Sequence, residues 1–323
     1  MTRQGIAIAG TIILDKVYGI SKYPTEGQLT KISNITESVG GCVPNVGIDI
    51  RKIDSNIPVY AFGRIGNDGE GKFITEALSN NGIDVSGIST TETKTSFTDV
   101  MSIQDGQRTF FTYPGASAEF GYGDLDFDKI CAKMLHLGYF LLLDKIDSGD
   151  GVLILKEAKS RGIETSIDLV SENSDRYVNV LPALEYTDNL IINEIEAGML
   201  AGIEPKNENL EKICIKLKNY GVKKRVIIHK PEVCVCLSET GFSYVPSYSL
   251  PEGFIKGTTG AGDAFCAGAL VKIYEGASDK EILEFASGAA VTALSTPDAT
   301  SGIGTAAEIN KLNGTLERKK LCL

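Results

Sequence analysis

Gly257-Thr258-Thr259-Gly260-Ala261-Gly262-Asp263-Ala264-Phe265 runs directly into Cys266-Ala267-Gly268-Ala269-Leu270-Val271. The join between a small-residue loop and an apolar helical stretch decides how the rest of the chain is read. Glycines let a ligand approach the backbone closely. The first N–H groups of a helix have no partner inside it, and the helix dipole adds to their attraction for an anion. No Lys follows in the order Gly-Lys-Ser/Thr, so the loop is not of the Walker type. The spacing of Gly257, Gly260 and Gly262 also fails the dinucleotide pattern Gly-x-Gly-x-x-Gly. Asp263 beside this nest has two readings. An acid stabilises a helix N-terminus; a carboxylate next to an anion nest can also take a proton from an attacking hydroxyl, as phosphoryl transfer requires. Residue chemistry alone leaves the two level.

Upstream, apolar strand-like runs alternate with helical stretches. Ile6–Ile13 reads as a strand, Asn45–Lys52 as a helix, Val59–Gly63 as a strand and Gly71–Asn80 as a helix. Helical Val152–Ser160, strands Thr165–Asp168 and Leu190–Ile192, helix Leu210–Asn219 and strand Arg225–His229 follow, then helices from Ala261 and Lys280. This order predicts an α/β fold with a mainly parallel sheet sandwiched by helices. Leu29–Ser38 and Ser96–Tyr113 break the rhythm by alternating polar and apolar residues. The second contains Asp105-Gly106 between Phe97–Ile103 and Arg108–Tyr113, a hairpin signal. A small antiparallel sheet standing off the main layer is expected, formed by about residues 14–38 and 94–115. It reads as a lid over a site within one domain spanning residues 1–323.

The 323 residues carry a net charge of −10, with 42% apolar and 23% charged residues. That balance predicts a soluble globular protein and argues against nucleic acid, which is bound through clustered Lys and Arg. Arg318-Lys319-Lys320, a short basic run near the end of the chain, reads as a frayed tail. No stretch approaches the roughly 18 apolar residues of a membrane helix, and no signal peptide is recognised. The seven cysteines and two histidines are scattered, so free thiols in a reducing cytoplasm are expected. Cys234 and Cys236 read as one buried face of a strand rather than a metal site. His136 and His229 read as core residues.

Gly257–Phe265 resembles the second signature of the ribokinase-like sugar kinases, the PfkB family, and the resemblance extends over nearly the whole chain. Gly10-Thr11-Ile12-Ile13-Leu14-Asp15 resembles the family's opening strand, and Gly40-Gly41-Cys42-Val43-Pro44-Asn45 its Gly-Gly substrate turn. Phe62–Gly71 resembles the first signature. Tyr113-Pro114-Gly115-Ala116-Ser117-Ala118 resembles the lid-return motif, and Asn193-Glu194-Ile195-Glu196 the Asn-x-x-Glu element. The resemblance implies an ATP-dependent kinase acting on a hydroxyl, generally primary, of a small sugar. Asp263 would be the catalytic base, and the amides of Gly260, Ala261 and Gly262 the anion hole. Asp15, Gly40, Gly41, Asn45 and, from the lid, Arg108 would serve the sugar. Asn193, Glu196, Thr258 and Ser287 would serve the nucleotide, with Glu196 and Asn193 organising Mg2+ through water. A homodimer through the lid is implied as well.

Each residue also has a plainer reading. Asp15 can start a turn, Gly40-Gly41 can be a tight connection, and Asn193 with Glu196 can be a capping box. Arg108 can solvate an edge strand, the reading placed ahead. Three positions depart from the family. Gly257 replaces an Asp that helps hold a monovalent cation, which leaves K+ activation open. His229-Lys230-Pro231-Glu232-Val233-Cys234 lacks the glycines of the usual nucleotide loop. Pro297-Asp298-Ala299 stands where Gly-Ala is frequent. Other readings are a nucleoside kinase and a sugar-binding sensor without turnover. A nicotinamide oxidoreductase is disfavoured by the missing dinucleotide fingerprint.

Overall fold

The computed structural model describes residues 3–103, 108–172 and 174–321. In chain order its strands begin with β1 (Ile6–Ala9), β2 (Ile13–Ile20), β3 (Ile32–Gly40), β4 (Val59–Gly66), β5 (Asp84–Thr91), β6 (Phe97–Ile103) and β7 (Arg108–Tyr113). They continue with β8 (Met134–Phe140), β9 (Glu164–Leu169), β10 (Asn189–Asn193), β11 (Arg225–His229), β12 (Val233–Ser238) and β13 (Gly241–Pro246). The helices are α1 (Cys42–Ile53), α2 (Gly69–Asn80), α3 (Gly151–Ser160), α4 (Leu181–Leu184), α5 (Glu194–Ala201), α6 (Leu210–Asn219), α7 (Ala261–Glu275), α8 (Asp279–Ala293) and α9 (Ala306–Thr315).

A nine-stranded sheet in the order β13-β12-β11-β10-β9-β8-β1-β4-β5 forms the centre. Pairs from β5 to β11 are parallel, and β11-β12-β13 form an antiparallel edge. Helices cover both faces, so the strands are apolar on both sides. Ile6 and Ile8 of β1 pack with α1, α2, α7 and α8, whereas Ala7 and Ala9 pack with α3 to α6. β12 divides in the same way: Cys234 and Cys236 face the first cluster, Val233 and Val235 the second.

Ile6–Ile13 is not one strand. β1 ends at Ala9, and Gly10 turns the chain at φ +141°, with a would-be Cβ only 2.6 Å from the Gly138 carbonyl. β2 then enters a second, four-stranded sheet, β3-β2-β6-β7. Its outer pairs are antiparallel, but the central pair β2–β6 is parallel, because both strands leave the central sheet in the same direction. The Asp105-Gly106 turn lies outside the described residues. The proposed frayed tail is docked: Arg318 donates to the carbonyl of Pro246 at 2.7 Å and stacks over Tyr248 at 4.0 Å.

Helix α8 is anchored at its first residue. Asp279 accepts from Arg225 Nε at 2.8 Å, from Thr240 Oγ1 at 2.8 Å and from Ser238 Oγ. Burial pushes its carboxyl up, but the bonds from Ser238, Arg225 and Thr240 outweigh that and hold it below its ordinary value. Asp279→Asn is therefore expected to cost about 2 kcal/mol at pH 7, the scale of hydrogen bonds to a charged group. The contribution is present above the ordinary Asp range near 4 and is lost as pH falls through the lower folded value. Urea melts of both proteins at pH 7 and pH 3 check this.

Candidate active site

Helix α7 starts where it does because Gly260 adopts φ +77°, a left-handed conformation open to glycine. The Gly260 carbonyl then accepts from Ala264 N at 2.8 Å. Asp263 falls in the first turn with 7% of its surface exposed. Its carboxylate accepts from Asn45 Nδ2 at 2.9 Å and from the Tyr139 hydroxyl at 2.9 and 3.0 Å. Burial, then the Asp168 carboxylate, push Asp263 up to about 7 against the pull of these two donors. A carboxyl poised near neutrality can exchange a proton with a hydroxyl.

Two cavities meet at Gly262. One, of about 300 Å3, is lined by Tyr139, Asp168, Glu196, Gly260 and Asp263 among others. The other, of about 640 Å3, is largely apolar and is lined by Ile255, Phe265 and Leu294 together with Thr258, Ala261 and Ser287. The nest thus lies on the wall between a chamber that holds the acidic side chains and a largely apolar one. His229 lines both and stacks on Phe265 with centroids 4.7 Å apart. Burial lowers it to about 4, so it is a neutral ring at working pH. Lys230 and Pro231 of the atypical loop line the apolar cavity.

The proposed acceptor residues converge with Asp263 through α1. Gly41 precedes α1 at φ +88°, and a Cβ there would lie 2.6 Å from the Thr11 carbonyl. That geometry lets the helix begin at Cys42, three residues before the sequence reading placed it, and turns Asn45 toward Asp263. Asn45 Oδ1 and Thr11 Oγ1 are buried acceptors with no protein partner, as groups awaiting a ligand hydroxyl would be. Asp15 on β2 crosses Gly40 so closely that a Cβ on Gly40 would lie 2.2 Å from its Oδ2. Burial pushes Asp15 up to about 6. Arg108 does more than solvate an edge: its guanidinium donates to Thr259 Oγ1 at 3.2 Å, linking β7 to the nest loop.

Asn193 and Glu196 do form a capping box. Asn193 Oδ1 accepts from the amides of Ile195 and Glu196 at 2.9 Å, and Glu196 Oε2 accepts from Asn193 N at 3.0 Å. The Glu196 carboxylate is also bound by Ser171 Oγ at 2.9 Å, and burial pushes it up to about 7. Glu196, Asn193 and Ser171 offer the oxygen donors that a hard cation takes. Beneath Asp263, donor atoms of Cys42, His136 and Asp168 lie within 4.8 Å of one another. Within that cluster, His136 pairs with Ser166 Oγ at 2.9 Å and with Cys266 Sγ at 3.6 Å. Its thiol and imidazole groups are poor magnesium ligands.

Gly257 and Pro297 fit each other. A Cβ at 257 would lie 2.9 Å from Pro297 Cα and from the Thr296 carbonyl, so the loop leaves no room for the Asp of relatives. Sequence reasoning missed Tyr139 and Asp168. Thr165–Asp168 was read as a strand and Gly138-Tyr139-Phe140 as nothing at all. The close Gly138 approach, where a Cβ would overlap Cys42 Sγ, is invisible without the fold.

The family model for pfkB family carbohydrate kinases matches residues 6–306. Ribokinase of Arabidopsis thaliana is 27% identical over 289 residues, 88% of this chain and 74% of that protein. The 5-dehydro-2-deoxygluconokinase of Geobacillus kaustophilus is 26% identical over 314 residues, 92% of this chain and 91% of that protein. The solved structure of Arabidopsis thaliana ribokinase complexed with ribose and ATP has the same fold, with a TM-score of 0.82 at 24% identity over 96% of this chain and 99% of that one. The chain accordingly belongs to the pfkB family of carbohydrate kinases, phosphotransferases with an alcohol group as acceptor.

Proposed function

We propose that this chain transfers the γ-phosphoryl group of ATP to a primary hydroxyl of a small sugar. The observation that carries this is the buried Asp263 carboxylate, set in the first turn of α7 where the two cavities meet. Asp263 takes the proton of the acceptor hydroxyl as that oxygen attacks. The amides of Gly260, Ala261 and Gly262 stabilise negative charge on the transferred group. Asp15, Gly40, Gly41 and Asn45 orient the remaining hydroxyls, and a ligand lacking one would leave a buried acceptor such as Asn45 Oδ1 unpaired. The apolar cavity with Thr258 and Ser287 takes the nucleotide. Mg2+, when bound, would neutralise phosphate charge; Glu196 and Asn193 would hold it through water. The second sheet acts as the lid of a single domain, with Arg108 reaching the nest from it. Its exposed Ile32, Ile35 and Phe111, which share one face of that sheet, would be covered by a second lid in a homodimer. Six of the cysteines are free, in keeping with a reducing cytoplasm.

The test is ADP release from Mg-ATP across pentoses, hexoses, sugar acids, polyols and nucleosides, with and without K+. Sugar-dependent turnover that does not respond to K+ is expected, since Gly257 supplies no carboxylate. Turnover with nucleosides alone would move the acceptor class. Ligand binding without turnover on any of them would make the chain a sensor.

A further inference from the structure

Among the described non-glycine residues, only Tyr139 and Leu141 have positive φ, at 62° and 76°. Such a conformation costs an ordinary side chain about 1–2 kcal/mol. It persists only where the surroundings impose it. Here they do. The pairing of β8 with β9 jumps from Leu137–Ile167 to Phe140–Leu169 at this point. Gly138 presses against Cys42, and the Tyr139 amide donates to Asp168 Oδ1 at 2.6 Å. Asp168 Oδ2 in turn faces His136 Nε2 at 3.5 Å. The kink throws the phenol back over the start of α7, where its hydroxyl reaches both Asp263 oxygens, at 2.9 and 3.0 Å.

The surroundings of Asp263 otherwise disfavour a carboxylate. Asp168 on β9 and Asp15 on β2 raise its pKa. Asp49 and Cys42 on α1 and Cys266 on α7 are coupled to it as well. The side-chain donors that favour the charged form are Asn45 and Tyr139. The phenol is itself pushed well above its ordinary value by burial and then by Asp263, so it stays protonated and donates to the carboxylate. A carboxylate has about four acceptor positions, which leaves room for an incoming hydroxyl beside both donors.

We infer that Tyr139 is a positioning residue which, with Asn45, locks the Asp263 carboxylate in one orientation and keeps it ionised while a neighbouring lone pair stays open to the acceptor hydroxyl. This rests on Asp263 being the base. Its test needs no substrate: a 13C NMR titration of the aspartate carboxyls, with the Asp263 signal assigned by its loss in Asp263→Asn. Tyr139→Phe should raise the Asp263 pKa by about one unit, the loss of one hydrogen bond to the charged form. The acidic limb of kcat/KM should move with it, cutting the rate about tenfold near pH 6.5 and converging with wild type by pH 9. In the Asp263→Asn background the same change should have no further effect on rate. Para-aminophenylalanine at 139 returns a donor and should restore the wild-type titration; it serves as the test should the Phe variant not fold. An unmoved Asp263 titration, or a loss uniform across pH, overturns the role of Tyr139. Full activity in Asp263→Asn would instead overturn the base assignment, whatever Tyr139 does.

Discussion

Asp263→Asn is expected to lower kcat by about 10³-fold on whichever sugar the wild type phosphorylates, within the range for loss of a positioned general base. The substitution is nearly isosteric and keeps a group for Asn45 and Tyr139 to meet, so substrate KM should change far less than kcat. Wild-type activity should rise with pH through about 7, the value to which burial and Asp168 push this carboxyl, because the base works only when deprotonated. The same shift makes a stability statement of opposite sense. A carboxyl whose folded pKa is raised contributes fully below the unfolded value near 4 and loses that contribution as pH rises through about 7. Asp263→Asn should therefore melt higher than wild type at pH 8, with the two converging below pH 4. An inactive but more stable variant is the signature of a group kept for chemistry. A variant that is inactive and less stable at pH 8 would argue that Asp263 merely supports the helix.

Gly260→Ala is the second large expected effect. At φ +77° a side chain is strained, and the new Cβ would lie 2.3 Å from the Ala299 carbonyl oxygen and 2.5 Å from Ala299 Cα. Both are backbone atoms and cannot rotate away. Either the 297–299 loop or the first turn of α7 must shift, displacing the amides of Ala261 and Gly262. Loss of one such donor costs about 10²–10³ in kcat, so a fall of at least about 10² is expected. The strain should cost about 1–3 kcal/mol in a urea melt. A preserved kcat would show that the nest is not what receives charge in the reaction.

The fold was legible from strand-helix alternation because a sheet covered on both faces requires continuous apolar strands such as Ile6–Ala9, each bounded by turns. Phe97–Ile103 and Arg108–Tyr113 were placed at their observed ends by the period of two. The ends that slipped lie where glycine geometry overrides pattern. Gly10 cuts Ile6–Ile13 in two, and Gly41 starts α1 three residues early. The capping box at Asn193 was readable because its bonds span three residues. The tail was misread because Arg318 docks through Pro246 and Tyr248, some seventy positions away in the chain.

The sequence by itself determined the α/β class and the family and singled out Asp263 as a candidate base, since each is written in local order: alternation, signature, and an acid three residues after Gly260. Only the tertiary structure decided what surrounds that acid. Tyr139, Asn45 and Asp168 come from three separate elements, and a one-dimensional pattern carries no signal for contacts closed by packing. Burial and a like charge put Asp263 near neutrality, and both arise when β8, β9, α1 and α7 close on one point.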